Sequence, residues 1–515
     1  MKIMKRTISF WLAIFMILNL FLLISCDAKK AGDPVSDGGQ NNIAAEDGQD
    51  NGPEATEAKI LPDLPADVNY NGYVFTVLSH QESTDDWVDP DPREIVAEVE
   101  NGEPVNDAVY KRNSVLKDRY NIDFKLITNT DERSLLSKTV KSGDDAYDAI
   151  LIFNNNVPGT ITGGLLTNVA NLPYVDLNKP WWDPAVNSMS IDHKNYLLAG
   201  DMLILDNEAT NALLFNKDLM ASLGFDLPYN LVKEGAWTLD KLNGFVKGSS
   251  SDLNGDGKMT PNEDRWGFLT FNDTLHAFLV SGGGALAVKD EDDLPYMDFT
   301  SQRNLAVIDK AMDIMYNKQD VLNIQSDITT PGANSINWFI AYHGSFEENR
   351  ALFMWVRMRV VEKFRGMDAN FGIIPLPKFD EAQDKYYSLV NPYTGVLLGV
   401  PKTAGDLERT SIVLEAMAAE SRYTLQPAYY DIVLQRKFTR DEESSEMLDI
   451  IFGANASMGE RIYDIGAVYS FGNVFLDFIA LCGKSNRNVA SYYEKKMASM
   501  QKAIDKVVNT FQDMD

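Results

Sequence analysis

The chain has 515 residues, 45 % of them hydrophobic and 24 % charged, which suits a packed globular protein of two or three domains. Its 75 acidic side chains outnumber 47 basic ones, for a net charge of −28. That balance excludes a nucleic-acid surface, which needs basic groups against phosphate, and it disfavours broad contact with anionic lipid.

The first element is Lys2, Lys5 and Arg6 followed by a run from Ile8 to Ile24 that only Ser9 and Asn19 interrupt. A basic stretch before an apolar one is the layout of a secretory signal. The run closes on Leu23-Ile24-Ser25-Cys26, which resembles the lipobox of bacterial lipoproteins. That resemblance implies a signal peptide over 1–25, cut before Cys26, whose sulfur then carries the lipid (palmitate). An uncleaved membrane anchor is the other reading, but the run is at the short limit for a spanning helix. The expected location is the extracellular face of the cell membrane. With Cys26 acylated, Cys482 has no partner for an intramolecular disulfide. The four histidines, His80, His193, His276 and His343, have no metal-ligand spacing such as HExxH.

Residues 26–66 are rich in Gly, Asp, Asn and Ala and cannot bury enough apolar surface to order, so they read as a disordered tether. Beyond it, Tyr73–Leu78 reads as a strand, 106–120 as a helix, Ile122–Ile127 as a strand, 134–142 as a helix and Tyr147–Phe153 as a buried strand. Strand–helix–strand–helix–strand predicts a parallel βαβ sheet. A strand-like stretch over 193–204 follows, then Leu213–Leu219 leading into a helix that ends near Gly224. Helices are expected over 240–247, capped by Thr238, and over 302–317. Strands are expected at 351–356, 371–375 and 395–401. The rest is mainly helical, ending in an amphipathic helix over 491–511.

Three stretches then carry a resemblance: Leu214-Phe215-Asn216-Lys217-Asp218-Leu219, Phe346-Glu347-Glu348-Asn349-Arg350-Ala351-Leu352-Phe353 and Phe371-Gly372-Ile373-Ile374-Pro375. With WWDP at Trp181–Pro184 and the run from Lys233, they resemble the sugar-type, maltose-binding-protein-like solute-binding lipoproteins of bacterial ABC importers. Asn349 departs from the pattern, standing where the family usually has Gly. The resemblance implies an α/β, two-lobed periplasmic-binding-protein-like fold with a ligand cleft between the lobes and a helical C-terminus. By analogy the N-terminal lobe takes 67–205 plus 368–402, and the C-terminal lobe 206–367 plus 403–515. Gly200–Asn207 and Val396–Thr403 are the expected crossings.

The sharpest local motif is residues 252–263, which fit the twelve-residue calcium loop of an EF-hand. Asp252, Asn254 and Asp256 supply side-chain oxygens, Gly257 the turn, Lys258 a carbonyl, Thr260 a hydroxyl or bridging water, and Glu263 a bidentate carboxylate. A polar Asx/Gly turn without metal is the alternative. Pro261 opposes an exit helix, so the loop is expected to stand alone and to hold a structural Ca2+.

Ligands of open α/β sheets bind past the carboxyl ends of strands. That rule selects Glu82, Asn154 and Asn155 as polar ligand contacts, and the crossings that the resemblance implies add Asp206 and Asn207 at one and Asn391 and Tyr393 just before the other. Trp87 and Trp355 are selected as aromatic faces for a sugar ring. Trp181 and Trp182 could serve either the site or the core, and Trp237 and Trp266 are assigned to packing. No GxSxG, P-loop or GxGxxG is present. These features predict a monomeric, lipid-anchored receptor, not an enzyme, that passes a carbohydrate (an oligosaccharide) to the permease subunits of an ABC importer. The competing reading is a surface lipoprotein glycoside hydrolase, since abundant Asp and Glu allow many carboxylate pairs.

Overall fold

A computed structural model describes residues 59–81, 92–327, 335–434 and 442–514. The expected signal peptide (1–25), Cys26, most of the expected tether, Glu82 and Trp87 therefore lie outside the described residues. The folded unit runs from Ile60 to Asp515. No helix among the described residues is long and apolar enough to cross a membrane.

Among the described residues thirteen strands appear in chain order: β1 Tyr73–His80, β2 Ile122–Asn129, β3 Ala149–Phe153, β4 Asn211–Asn216, β5 Trp266–Thr270, β6 Ala287–Lys289, β7 Pro295–Met297, β8 Val321–Asn323, β9 Ala351–Arg357, β10 Phe371–Ile374, β11 Tyr386–Leu389, β12 Val396–Gly399 and β13 Gly459–Ile462. Four of them form one sheet in the order β12-β3-β1-β2 and five another in the order β10-β4-β9-β5-β8. Two lobes are thus built on two sheets of one fold.

In the four-stranded sheet β1, β2 and β3 are parallel and β12 runs against β3. Helix Pro104–Tyr120 connects β1 to β2, and helix Glu132–Ser142 connects β2 to β3. Asp131 caps the latter by accepting from Ser134 N, and Gly143 ends it in the left-handed region. β3 is buried along its whole length, as its unbroken Ala-Ile-Leu-Ile-Phe run requires of a strand covered on both faces.

In the five-stranded sheet β8, β5 and β9 are parallel, while β4 runs against both β9 and β10. The Leu-Phe-Asn-Lys-Asp-Leu stretch has a local reason: Asn216 ends β4 and its side chain accepts from Leu219 N, capping helix Lys217–Leu223 before Gly224. Thr238 caps helix Leu239–Val246 as expected. Asn349 takes the left-handed conformation, φ 64°, at the turn into β9. Asparagine tolerates that region, so it fills a glycine position, and Asn216 Nδ2 donates to its side chain.

Three segments differ from the sequence reading. Residues 193–204 form no strand: turns at Asp192-His193 and Asp201-Met202 flank a short segment that meets the sheet through a bridge between Leu198 and Leu398. Segment 368–402 is divided: β10 pairs with β4 in the five-stranded sheet, and β12 with β3 in the four-stranded one. Helices Leu407–Ser421 and Leu425–Leu434 pack on Pro104–Tyr120, and the last helix, Val489–Asp513, reaches Val157–Thr162, so this part of 403–515 covers the first sheet. Phe511 meets Tyr196 there, ring to ring at 5.2 Å. The apolar faces of these helices are satisfied by whichever sheet is nearest in space, which sequence order does not disclose.

Candidate functional site

Strand order reverses once in each sheet. The chain leaves β1 for β2 on one side and then enters β3 on the other, so the switch point lies between β1 and β3. In the second sheet β5 is followed by β8 on one side and β9 on the other, placing the switch between β5 and β9. Helices cannot cover the crevice at such a point, which is why ligands of open α/β sheets settle there.

His80 ends β1 and stacks on Phe153, the last residue of β3, with ring centroids 5.3 Å apart. Its Nδ1 lies 3.0 Å from Glu132 Oε2, and Asn156 Nδ2 donates to the other oxygen at 2.7 Å. Asn154 follows Phe153 and is wholly buried. Asn155 is exposed.

At the second switch point Phe271 follows β5 and Trp355 lies near the end of β9, rings 6.1 Å apart. Tyr342 OH donates to the carbonyls of Leu269 (3.1 Å) and Trp355 (2.5 Å), tying the two strand ends together. Asp273 stands just beyond β5, and Arg357 is the last residue of β9. Burial pushes the Asp273 carboxyl above the usual carboxylate range, with Arg357 and the Asn391 amide working against it. Burial likewise lowers the Arg357 guanidinium, and Asp273 opposes that.

Residues 391–395 join the two points. Asn154 N donates to Gly395 O at 2.9 Å, and Gly395 N to Asn391 O at 2.9 Å. Asn391 N donates to Ala209 O at 2.9 Å, while its Nδ2 reaches Asp273 Oδ2 at 3.5 Å. Its Oδ1 accepts from the amides of Tyr393 and Thr394, fixing the turn. The outgoing and returning chains run side by side here, bridged between Thr210 and Val390. The return crossing is therefore 390–395, and Val396 already belongs to β12. Tyr393 projects from the turn, 43 % exposed.

Asn154, Trp355 and Asn391 are thus brought to the strand ends, with exposed Tyr393 and Asn155 beside them. Asp206 and Asn207 are not offered to a ligand. Both are buried against Arg461, whose Nη2 meets Asp206 Oδ2 at 2.9 Å and whose Nη1 donates to Asn207 Oδ1 at 2.7 Å. Asn207 Nδ2 donates to Gln426. Trp181 and Trp182 belong to the core: their indole N–H groups both donate to the buried Glu415 carboxylate, at 3.0 and 2.7 Å. Trp237 stacks within an aromatic cluster with Phe245 and Phe353. Sequence reasoning missed His80, Asp273 and Arg357, although the strand-end rule that found Asn154 would reach all three once the sheet order is known.

Arg93 links the segment after β1 to the second lobe, with Nη2 2.7 Å from Glu208 Oε1 and 3.2 Å from Glu362 Oε1. A separate groove of about 430 Å³ lies beside the start of β9, lined by Asn262, His343, Glu347, Glu348, Arg350 and Lys363. It holds charges of both signs and is distinct from the switch points.

In loop 252–263, Asp252 accepts from Gly255 N and Gly257 N at 2.7 and 2.8 Å, and Asp256 from Lys258 N at 2.8 Å. Glu263 Oε2 accepts from Asn254 Nδ2 and Thr260 Oγ1, each at 3.3 Å, which brings the third, ninth and twelfth positions together. Gly255 and Gly257 have φ of 74° and 81°. No helix starts at Pro261, and the chain passes at Trp266 into β5. Asp264, which the motif does not include, closes the base by accepting from Leu253 N and Thr260 N. Among the described residues no three His, Cys, Asp or Glu side chains gather as a metal site.

No protein-family model matches the sequence, and no curated protein does. The fold is shared with solved structures that include a cyclo/maltodextrin-binding protein. Among solved structures, M. tuberculosis UspC is 14 % identical with a TM-score of 0.52, over 85 % of this chain and all of that one (100 %). A cyclo/maltodextrin-binding protein complexed with maltotetraose is 14 % identical with a TM-score of 0.51, covering 85 % of this chain and 96 % of its own. RafE from Streptococcus pneumoniae, in apo form, is 13 % identical with a TM-score of 0.50, covering 86 % and 98 %.

Proposed function

We propose that this chain is a monomeric extracellular receptor, held on the membrane by lipid at Cys26, that captures a carbohydrate and presents it to the permease of an ABC importer. The observation that carries the reading is the pairing of two switch points by one five-residue loop. Asn154 from one lobe and Asp273 from the other meet the two ends of residues 391–395, and His80 and Trp355 stand at the same strand ends. A hinge that closes two such edges around a polyol buries it and changes the outer surface that a permease meets. The cyclo/maltodextrin-binding neighbour, complexed with maltotetraose, supports an oligosaccharide as ligand. The polar tether keeps the receptor near its permease at high effective concentration.

Loop 252–263 is proposed to hold a structural calcium ion through Asp252, Asn254, Asp256, the Lys258 carbonyl, Thr260 and Glu263. Its all-oxygen donor set and its glycine turns suit a hard cation. The reading is tested by incubating the purified protein with an oligosaccharide panel. Stoichiometric binding without products supports a receptor, and turnover replaces it with the glycosidase.

A further inference from the structure

Asn154 and Trp355 share a property that packing alone does not explain. Asn154 is 0 % exposed, yet neither its Nδ2 nor its Oδ1 has a hydrogen-bond partner among the described residues. Trp355 is 3 % exposed, and its indole Nε1 is also without one. A buried polar group left unsatisfied costs more than an apolar group of the same shape in its place, so a core has no use for it. Other buried polar atoms, such as Tyr120 OH and Thr410 Oγ1, also lack a partner among the described residues, but these two are set apart by their place in the topology. One stands at the switch point of each sheet, where the topology places a ligand.

The charged groups beside them are already committed. Glu132 is held by His80 and Asn156, and Asp273 faces Asn391 and Arg357. What the site leaves over is neutral: an amide that both donates and accepts, and an indole that donates. The partner that matches is a group able to do both without charge, an alcohol. Gly395 holds the amide in place, since its backbone lies so close that a β-carbon there would stand 2.5 Å from Asn154 Nδ2.

We infer that Asn154 and the Trp355 N–H are the specificity-determining pair of the site, one from each lobe, completed by hydroxyl groups of a neutral ligand and selecting it over an acidic sugar. The inference rests on the carbohydrate reading above. Each hydroxyl that bridges to an orphan removes a standing cost, so ligand and closure favour each other.

Calorimetric titration of the full chain with neutral malto- and manno-oligosaccharides, and with their uronate-terminated counterparts, tests it. Wild type is expected to prefer the neutral series. Asn154→Leu and Trp355→Phe should each weaken neutral binding by roughly ten- to hundred-fold, as the loss of one hydrogen bond to a buried group does. Without ligand, Asn154→Leu should melt at or above the wild-type temperature, because it removes an unsatisfied amide. Unchanged affinity in both variants overturns the pair, and so does a uronate preference or a lowered ligand-free melting temperature for Asn154→Leu. Wild type that binds no saccharide at all is a different failure, that of the carbohydrate reading, and takes the pair with it.

Discussion

Asn154 and Gly395 are pressed together where β3 ends: the Asn154 amide donates to the Gly395 carbonyl at 2.9 Å, and the glycine's bare Cα faces the carboxamide. Gly395→Ala should force the two apart. Overpacking of this kind costs about 1–3 kcal/mol, read as a lower midpoint in denaturant unfolding. The same variant should bind ligand more weakly, because the amide it displaces belongs to the site.

Arg461 neutralises Asp206 in a buried network with Asn207, Tyr463 and Asp183. Arg461→Met leaves the Asp206 charge uncompensated and is expected to cost about 3–5 kcal/mol in chemical unfolding. Adding Asp206→Leu should recover part of that loss, since Asp183 is then the one carboxylate of this network left without Arg461. A double variant no more stable than Arg461→Met would contradict this.

Burial pushes the Asp201 carboxyl from 3.8 up to about 7, with Arg422 working against it and Asp206 and Asp183 adding to it. The folded chain therefore holds this proton more tightly than the unfolded one. The resulting stability is fully present below about pH 4 and is lost as pH rises through about 7. Asp201→Asn should remove that component, so the difference in melting temperature between wild type and variant should change over this window and be flat above it.

Metal removal should lower the melting temperature, and Asp256→Ala should abolish the difference between chelated and calcium-loaded protein. An ion held at a hundred times its Kd contributes about 2.7 kcal/mol. Identical melting curves with and without thorough chelation would contradict a calcium loop.

Local chemistry made much of this legible in the sequence. The βαβ alternation, the Thr238 cap and the turn at Gly224 are short-range and appear where read. Asn154 and Trp355 could be placed near strand ends because such ends can be read from apolar runs. What was not legible depends on partners far along the chain. Asp206 looked like a ligand group until Arg461, 255 residues away, consumed it. Trp181 and Trp182 looked ambiguous because Glu415 is just as remote. Phe371–Ile374 pairs with β4, a choice made by the sheet and not by the strand. Asp273 and Arg357 become site residues only once β5 and β9 are known to be neighbours.

Titrating wild type and Asn154→Leu with maltotetraose measures the capture of a carbohydrate at the paired switch points. Saturable, one-to-one binding by wild type, with no products and with a clear loss in the variant, is the predicted result. Hydrolysis of the sugar, or equal affinity of the two proteins, would contradict it.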